Sequence, residues 1–170
     1  RYVRVCHDTC HSAVMHETAE EAVSHYNEAG LKIGKVQLSS AIEVDFDSQS
    51  KSEVVKSLQA IAEPRYLHQT TVFDGKQIQF NESLENIPLD NPSGLWRVHF
   101  HVPIHLHKIG PLLTTRNDLE QSIPVLKQAG TTCWEVETYT WSVIPTDMRH
   151  DELVNSIAKE LTWAAKIINK

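Results

Sequence analysis

Three short clusters in this chain carry side chains that hold metal ions and move protons. Asp8-Thr9-Cys10-His11 sets an imidazole three residues after a carboxylate, His99-Phe100-His101 places two imidazoles two residues apart, and Glu135-Val136-Glu137 does the same with two carboxylates. In an extended strand, residues two apart point to the same side. His99 and His101 therefore share a face with Arg97, while Val98, Phe100 and Val102 occupy the other. Carboxylate and imidazole groups delivered from separate strands form the usual open site of a catalytic Mn, Zn or Mg ion, with positions left for substrate or water. Asp8, Glu137, His99 and His101 are the candidate ligands. Glu137, His11 and His101 are the candidate catalytic groups.

The same residue types have plainer uses. Asp8 could cap the first turn after its strand, and Glu135 or Glu137 could neutralise Arg4, Lys35 or Arg97 in a buried ionic layer, because buried charge must be compensated. His16, His68, His105 and His107 read as loop or surface groups. Cys6 and Cys10 read as small packed residues, since no base adjoins them. Gln37 is a poor metal ligand but a good partner for a substrate hydroxyl. Lys35, Arg97 and Tyr139 complete the candidate substrate contacts.

The elements that position these groups follow from periodicity. Tyr2 to Asp8 reads as a strand, Thr18 to Ala29 as a helix stopped by Gly30, and Leu31 to Ser39 as a second strand. Ser50-Lys51-Ser52-Glu53 fits a capping box opening a helix that runs to Pro64. Between residues 65 and 94 the rhythm changes: two short strands meet at Asp74-Gly75, a hairpin signal, and read as an insertion. Trp96 to Ile104 resumes the strands. A helix follows between Asp118 and Ala129, started late or kinked by Pro124 and stopped by Gly130. Thr132 to Thr138 is the fourth strand and Asp151 to Asn169 the closing helix.

Four strand-helix units imply parallel strands with crossover helices. One row of each strand is apolar (Val3/Val5, Val36/Leu38, Val98/Phe100/Val102, Trp134/Val136). The other is polar (Arg4/Cys6/Asp8, Lys35/Gln37/Ser39, Arg97/His99/His101, Glu135/Glu137/Tyr139). An open doubly wound sheet needs two apolar rows, whereas a closed barrel can line its interior with polar groups. The expected fold is therefore α/β, the C-terminal half of a TIM (β/α)8 barrel with four parallel β/α units and an inserted hairpin, occupying residues 1–170 as one partial domain. Because such barrels run to about 250 residues, the missing N-terminal half would lie upstream of Arg1, where no initiator Met stands, or a homodimer partner would replace it.

Composition bounds the function. The chain has 170 residues, 41% hydrophobic and 22% charged, which suits a globular protein. No apolar run approaches the roughly 18 residues of a membrane helix, so no membrane insertion is expected. With 22 acidic against 16 basic residues and a formal charge of -6, a nucleic acid is not the expected partner; a small-molecule metabolite is. Three cysteines without a Cys-x-x-Cys pair favour a reducing, cytoplasmic setting.

Val5-Cys6-His7-Asp8-Thr9-Cys10-His11 resembles a strand end of the xylose-isomerase-like superfamily, which includes sugar isomerases, epimerases and the endonuclease IV type of apurinic endonuclease. Within it the chain is most similar to the C-terminal half of the metabolite-traffic family EboE. That similarity runs through Ile33 to Ala41, Glu63-Pro64-Arg65-Tyr66-Leu67-His68-Gln69-Thr70, Arg97 to Pro103 and Glu135-Val136-Glu137-Thr138-Tyr139-Thr140-Trp141. The resemblance implies a TIM barrel whose metal site uses Asp8 and Glu137, with His11 beside it. The superfamily's metal-binding histidine on the second strand falls on Gln37, so either His99 or His101 substitutes or the site has lost its metal. It also implies a link to moving metabolite precursors toward the cell envelope. The function expected is a metal-dependent isomerase, epimerase or hydrolase acting on a small metabolite, with a non-catalytic metabolite-binding or carrier protein as the alternative.

Overall fold

Alternation along Ile33–Leu38 buries Val36 and Leu38 and leaves Lys35 and Gln37 on the opposite side. In the computed structural model, which describes residues 2–149 and 151–170, this strand (β2) is the centre of a three-stranded parallel sheet. It is flanked by β1 (Val5–Asp8) and by β9 (Trp134–Val136). Three helices cover its apolar face: α2 (Ala19–Glu28), α4 (Arg116–Gln128) and α5 (Leu153–Ile168). Ala19, Leu119, Ile123, Leu126, Ala164 and Ile167 pack there with Ile33, Val36 and Leu38. A six-residue helix, α1 (Thr9–Val14), follows β1 directly.

The second sheet has six strands: β3 (Ile42–Asp45), β4 (Thr70–Phe73), β5 (Ile78–Asn81), β6 (Leu95–Val98), β7 (Lys108–Ile109) and β8 (Leu112–Thr114). Their order is β5-β4-β6-β3-β8-β7, and every pairing is antiparallel. Helix α3 (Lys51–Ile61) packs Val54, Leu58 and Ile61 against Ile42, Val44, Trp96 and Val98, a separate core from that of the parallel sheet.

This arrangement overturns the expected half-barrel of four parallel β/α units. The strand expected third, which became β6, lies antiparallel between β3 and β4, so among the described residues parallel pairing is confined to β1, β2 and β9. Side-chain alternation reports which residues share a face, but it is identical in parallel and antiparallel strands. The unrecognised strand β3 made the difference: the chain passes from β2 to β3 across three residues, Ser39-Ser40-Ala41, without a crossover helix. The hairpin expected at Asp74-Gly75 is present as β4 and β5, and it extends the antiparallel sheet through β6. Val98, Phe100 and Val102 accordingly belong to the second core and do not continue the row of Val36 and Leu38.

Local signals fared unevenly. Gly30 and Gly130 adopt positive φ, 67° and 91°, just past α2 and α4, as helix stops require. Ser50 makes no side-chain cap to α3, whereas an unforeseen capping box joins Thr18 and Glu21 at α2. Helix α4 continues through Pro124 instead of starting late. The ring removes the donor that the Glu120 carbonyl would have had. Burial of Leu119, Ile123 and Leu126 offsets that loss.

Candidate metal centre

The two sheets meet where β1 ends, where β9 gives way to irregular chain and where the extended run after β6 passes. His99 is held by its backbone N–H donating to Gln69 O at 2.8 Å, and Val102 by donation to Ser40 O at 3.0 Å, which ties the His99 to Val102 segment between the sheets. Glu137 N–H donates to Leu38 O at 3.0 Å and continues the parallel ladder one step past β9.

Asp8 is the N-cap of α1. Its Oδ1 accepts from the backbone N–H of Cys10 at 2.8 Å, from that of His11 at 3.2 Å and from the Ser39 hydroxyl at 2.6 Å. Burial pushes the Asp8 carboxyl upward, but the Ser39 hydrogen bond and the nearby His101 and His11 prevail, and its pKa is lowered. Three bonds to one oxygen hold Oδ1 in place. Ser39 is itself anchored, because its backbone N–H donates to Thr9 Oγ1 at 2.9 Å and Thr9 Oγ1 donates to Ser39 O at 2.8 Å.

His101 is almost wholly buried, and its Nδ1 lies 2.9 Å from the carbonyl oxygen of Glu137. A carbonyl only accepts, so Nδ1 carries the proton and Nε2 presents a lone pair to the cluster. That Nε2 is 3.2 Å from Nε2 of His99. Burial first, then the neighbouring rings of His101 and His11, hold His99 down at about 4; burial also lowers His101. Both rings are therefore neutral at neutral pH, the form that ligates metal. The ring of exposed His11 stands edge-on to His99, with centroids 4.4 Å apart.

Glu137 shares a hydrogen bond with Asp8. Burial, then the charge of Asp8 and that shared bond, push it up to about 7. Two carboxyls holding one proton between them have the donor chemistry that a divalent cation satisfies by taking the proton's place. The Tyr139 ring lies 4.5 Å from His101 and 4.9 Å from Tyr66, and burial, then nearby Cys10, raise its hydroxyl to about 12.

Ligand atoms of Asp8, His11 and His101 lie within 4.8 Å of one another, and so do those of Cys10, His99 and His101. Asp8, His11, His99, His101 and Glu137 are thus brought together, with Tyr139 against them. Of the other expected substrate contacts, Lys35 and Gln37 lie beside the cluster on the open face of the parallel sheet. Lys35 pairs with Glu135 at 3.0 Å, and Gln37 donates to the same carboxylate at 3.4 Å while accepting from the Cys6 thiol at 3.2 Å. These line the solvent-facing side of the parallel sheet. Arg97 is consumed by structure: it meets Glu43 at 2.9 Å and Asp118 at 2.7 Å and donates to Ala13 O.

Sequence reasoning passed over Ser39, the hydroxyl that steadies Asp8, and set Cys10 aside as packing. Cys10 is fully buried beside Val14 and Ala41, as packing requires, yet its sulfur also faces two imidazoles. Its place in the turn between Asp8 and His11 was the available signal. His68, read as a loop or surface group, lies in a loop but is buried, with its ring nitrogens facing the carbonyl oxygens of Glu63 and His99. Among the described residues, no helix is long and apolar enough to cross a membrane. No family model, curated protein or solved structure matches this chain, and its function is read from the chemistry of these side chains.

Proposed function

We propose that the chain is a metal-dependent enzyme of isomerase, epimerase or hydrolase type, acting on a small polar or prenyl-linked metabolite. The observation that carries this is the convergence of Asp8, His11 and His101, drawn from the end of β1, from α1 and from the run after β6, with ligand atoms within 4.8 Å. One carboxylate and two imidazoles suit a first-row divalent ion such as Mn or Zn, with Mg a weaker match to the nitrogen donors. Such an ion supplies polarisation of a substrate carbonyl or hydroxyl oxygen. The protein's own part is positional and protic. The Ser39 hydroxyl and the α1 backbone hold Asp8, the Glu137 carbonyl holds His101, and the Glu137 carboxyl stands beside Asp8 to accept or return a proton.

The resemblance of Asp8-Thr9-Cys10-His11 and Glu135 to Trp141 to the metabolite-traffic family supports the metal assignment. It also supports a cytoplasmic role in supplying metabolites toward the envelope. It does not extend to the fold. Gln37 and Lys35, on the open face next to the cluster, are the groups that would meet a substrate hydroxyl or anion. That open face also favours a second reading, a carrier that binds a metabolite without turnover.

Elemental analysis of the purified protein, with Asp8→Ala alongside, tests the proposal. After loading with manganese, which favours oxygen and nitrogen donors over sulfur, one equivalent in the parent and none in the variant is expected. No stoichiometric metal under any loading condition sinks the enzyme as described. Metal bound without turnover of sugar phosphates, polyols or prenyl-linked metabolites favours the carrier.

A further inference from the structure

The proposed ion of Asp8, His11 and His101 leaves Cys10 and His99 unused. The backbone N–H of Cys10 is shared between Asp8 Oδ1 at 2.8 Å and Ser39 Oγ at 2.9 Å, which directs its side chain inward, and its sulfur lies within 4.8 Å of ligand atoms on both His99 and His101. The two histidines differ in how they are held. His101 is fixed by the Glu137 carbonyl, with Nε2 as its only free lone pair. The Nδ1 of His99 is buried without a hydrogen-bond partner, and its other nitrogen, facing the bare Nε2 of His101, carries the ring's proton. The 3.2 Å between the two Nε2 atoms is close to the separation of about 3.3 Å expected for two nitrogens bound at about 2.0–2.1 Å to one tetrahedral zinc.

We propose that Cys10, His99 and His101 form an inner, thiolate-containing cation position for an ion of the zinc class. It shares His101 Nε2 with the outer position of Asp8, His11 and His101. One lone pair serves one ion, so the two positions exclude each other, and this clause alone rests on the proposed outer site. On binding, the Cys10 S–H bond breaks, its proton leaves to solvent and the sulfur lone pair forms the bond to the ion. His99 shifts its proton from Nε2 to Nδ1 to free the lone pair, His101 is already in the binding tautomer, so the two neutral imidazoles release no net proton, and water takes the fourth position. Sulfur favours zinc or cobalt over magnesium or manganese. The identity of the ion therefore selects the position: thiophilic ions go inward and oxygen-seeking ones outward.

Cobalt(II), which substitutes for zinc and is coloured, tests this on the full chain. Cobalt bound by the parent should give a near-ultraviolet sulfur-to-cobalt charge-transfer band saturating at one equivalent. Cys10→Ser should lose the band while still binding cobalt at the outer position. Cys10→Ala, which suits the apolar contacts with Val14 and Ala41, repeats the measurement should serine disturb packing. Asp8→Asn, a good helix cap, should keep the band. Cobalt bound by the parent without a thiolate band overturns the inner position and leaves the outer one standing. A band that survives both Cys10 variants assigns the sulfur to Cys6 or Cys133 and also overturns it. A band in the parent with no cobalt at all bound by Cys10→Ser supports the inner position and removes the outer one.

Discussion

His101 donates from Nδ1 to the carbonyl oxygen of Glu137, so the residue that orients this imidazole is also the one whose carboxyl meets Asp8. Backbone and side chain of Glu137 thus do separate work, and substitutions can part them. His101→Ala should abolish cation binding, because both candidate positions need its Nε2. Glu137→Gln keeps the carbonyl and should weaken binding by about 10–100-fold, the usual effect of losing an outer partner of a ligand. Competition against a chromogenic chelator measures both. Equal affinities in parent and Glu137→Gln would show that the carboxyl is a bystander.

Arg97 predicts a stability effect with no part in chemistry. Its side chain is only 11% exposed and neutralises Glu43, whose carboxyl is raised by burial, as well as Asp118. Arg97→Met strands a largely buried carboxylate and should destabilise the fold by about 3–5 kcal/mol. Adding Glu43→Gln should recover part of that loss. Urea denaturation of the single and double variants checks it, and a loss below about 1 kcal/mol would mean that the pair behaves like an exposed surface bridge.

Glu160 carries a pH dependence. It is buried on α5, and burial raises its pKa despite bonds from Thr138 at 2.6 Å, Ile104 N–H at 3.1 Å and Ser156. A carboxyl raised in the folded state contributes stability that is fully present below its unfolded value, about 4.3, and is lost as pH rises through the folded value. Glu160→Gln cannot ionise and can still accept through its amide oxygen. The melting temperature of Glu160→Gln relative to the parent should therefore climb from acid to neutral pH. A difference that stays constant across this range removes Glu160 as the titrating group.

Gly94 is required by backbone geometry. It sits at φ 76°, and a Cβ there would collide with the carbonyl oxygen of Phe73. Gly94→Ala combines left-handed strain with a backbone clash at the entrance to β6, and should destabilise by about 1–3 kcal/mol. Thermal melts decide it. Gly75→Ala has a similar positive φ but open space around it, and should be the milder of the two.

Much of the cluster was legible in the sequence because its chemistry is compressed into short motifs: Asp8 to His11, His99 to His101 and Glu137 each arrive as a unit. Helix ends marked by Gly30 and Gly130, and the hairpin at Asp74-Gly75, were readable for the same local reason. What was not readable is direction. Ile42, Val44 and Phe46 alternate with Glu43, Asp45 and Asp47 as a half-buried strand should, but β3 follows β2 so closely that one strand-like stretch hid two. Once β3 is in place, β6 pairs with it antiparallel and the repeated β/α unit dissolves. The ionic role of Arg97 was equally hidden, since Glu43 and Asp118 reach it only through tertiary contact.

Asp8, His11 and Glu137 hang from the parallel sheet and its first helix, while His99 and His101 belong to the run that leaves the antiparallel sheet. An ion gripped by both sets acts as a rivet between two separately packed cores. Part of its binding free energy becomes resistance to their parting. Loading should then slow amide exchange at the Ser39 to Ala41 and His99 to Val102 junctions more than within either core, and chelation should loosen that seam before either sheet melts.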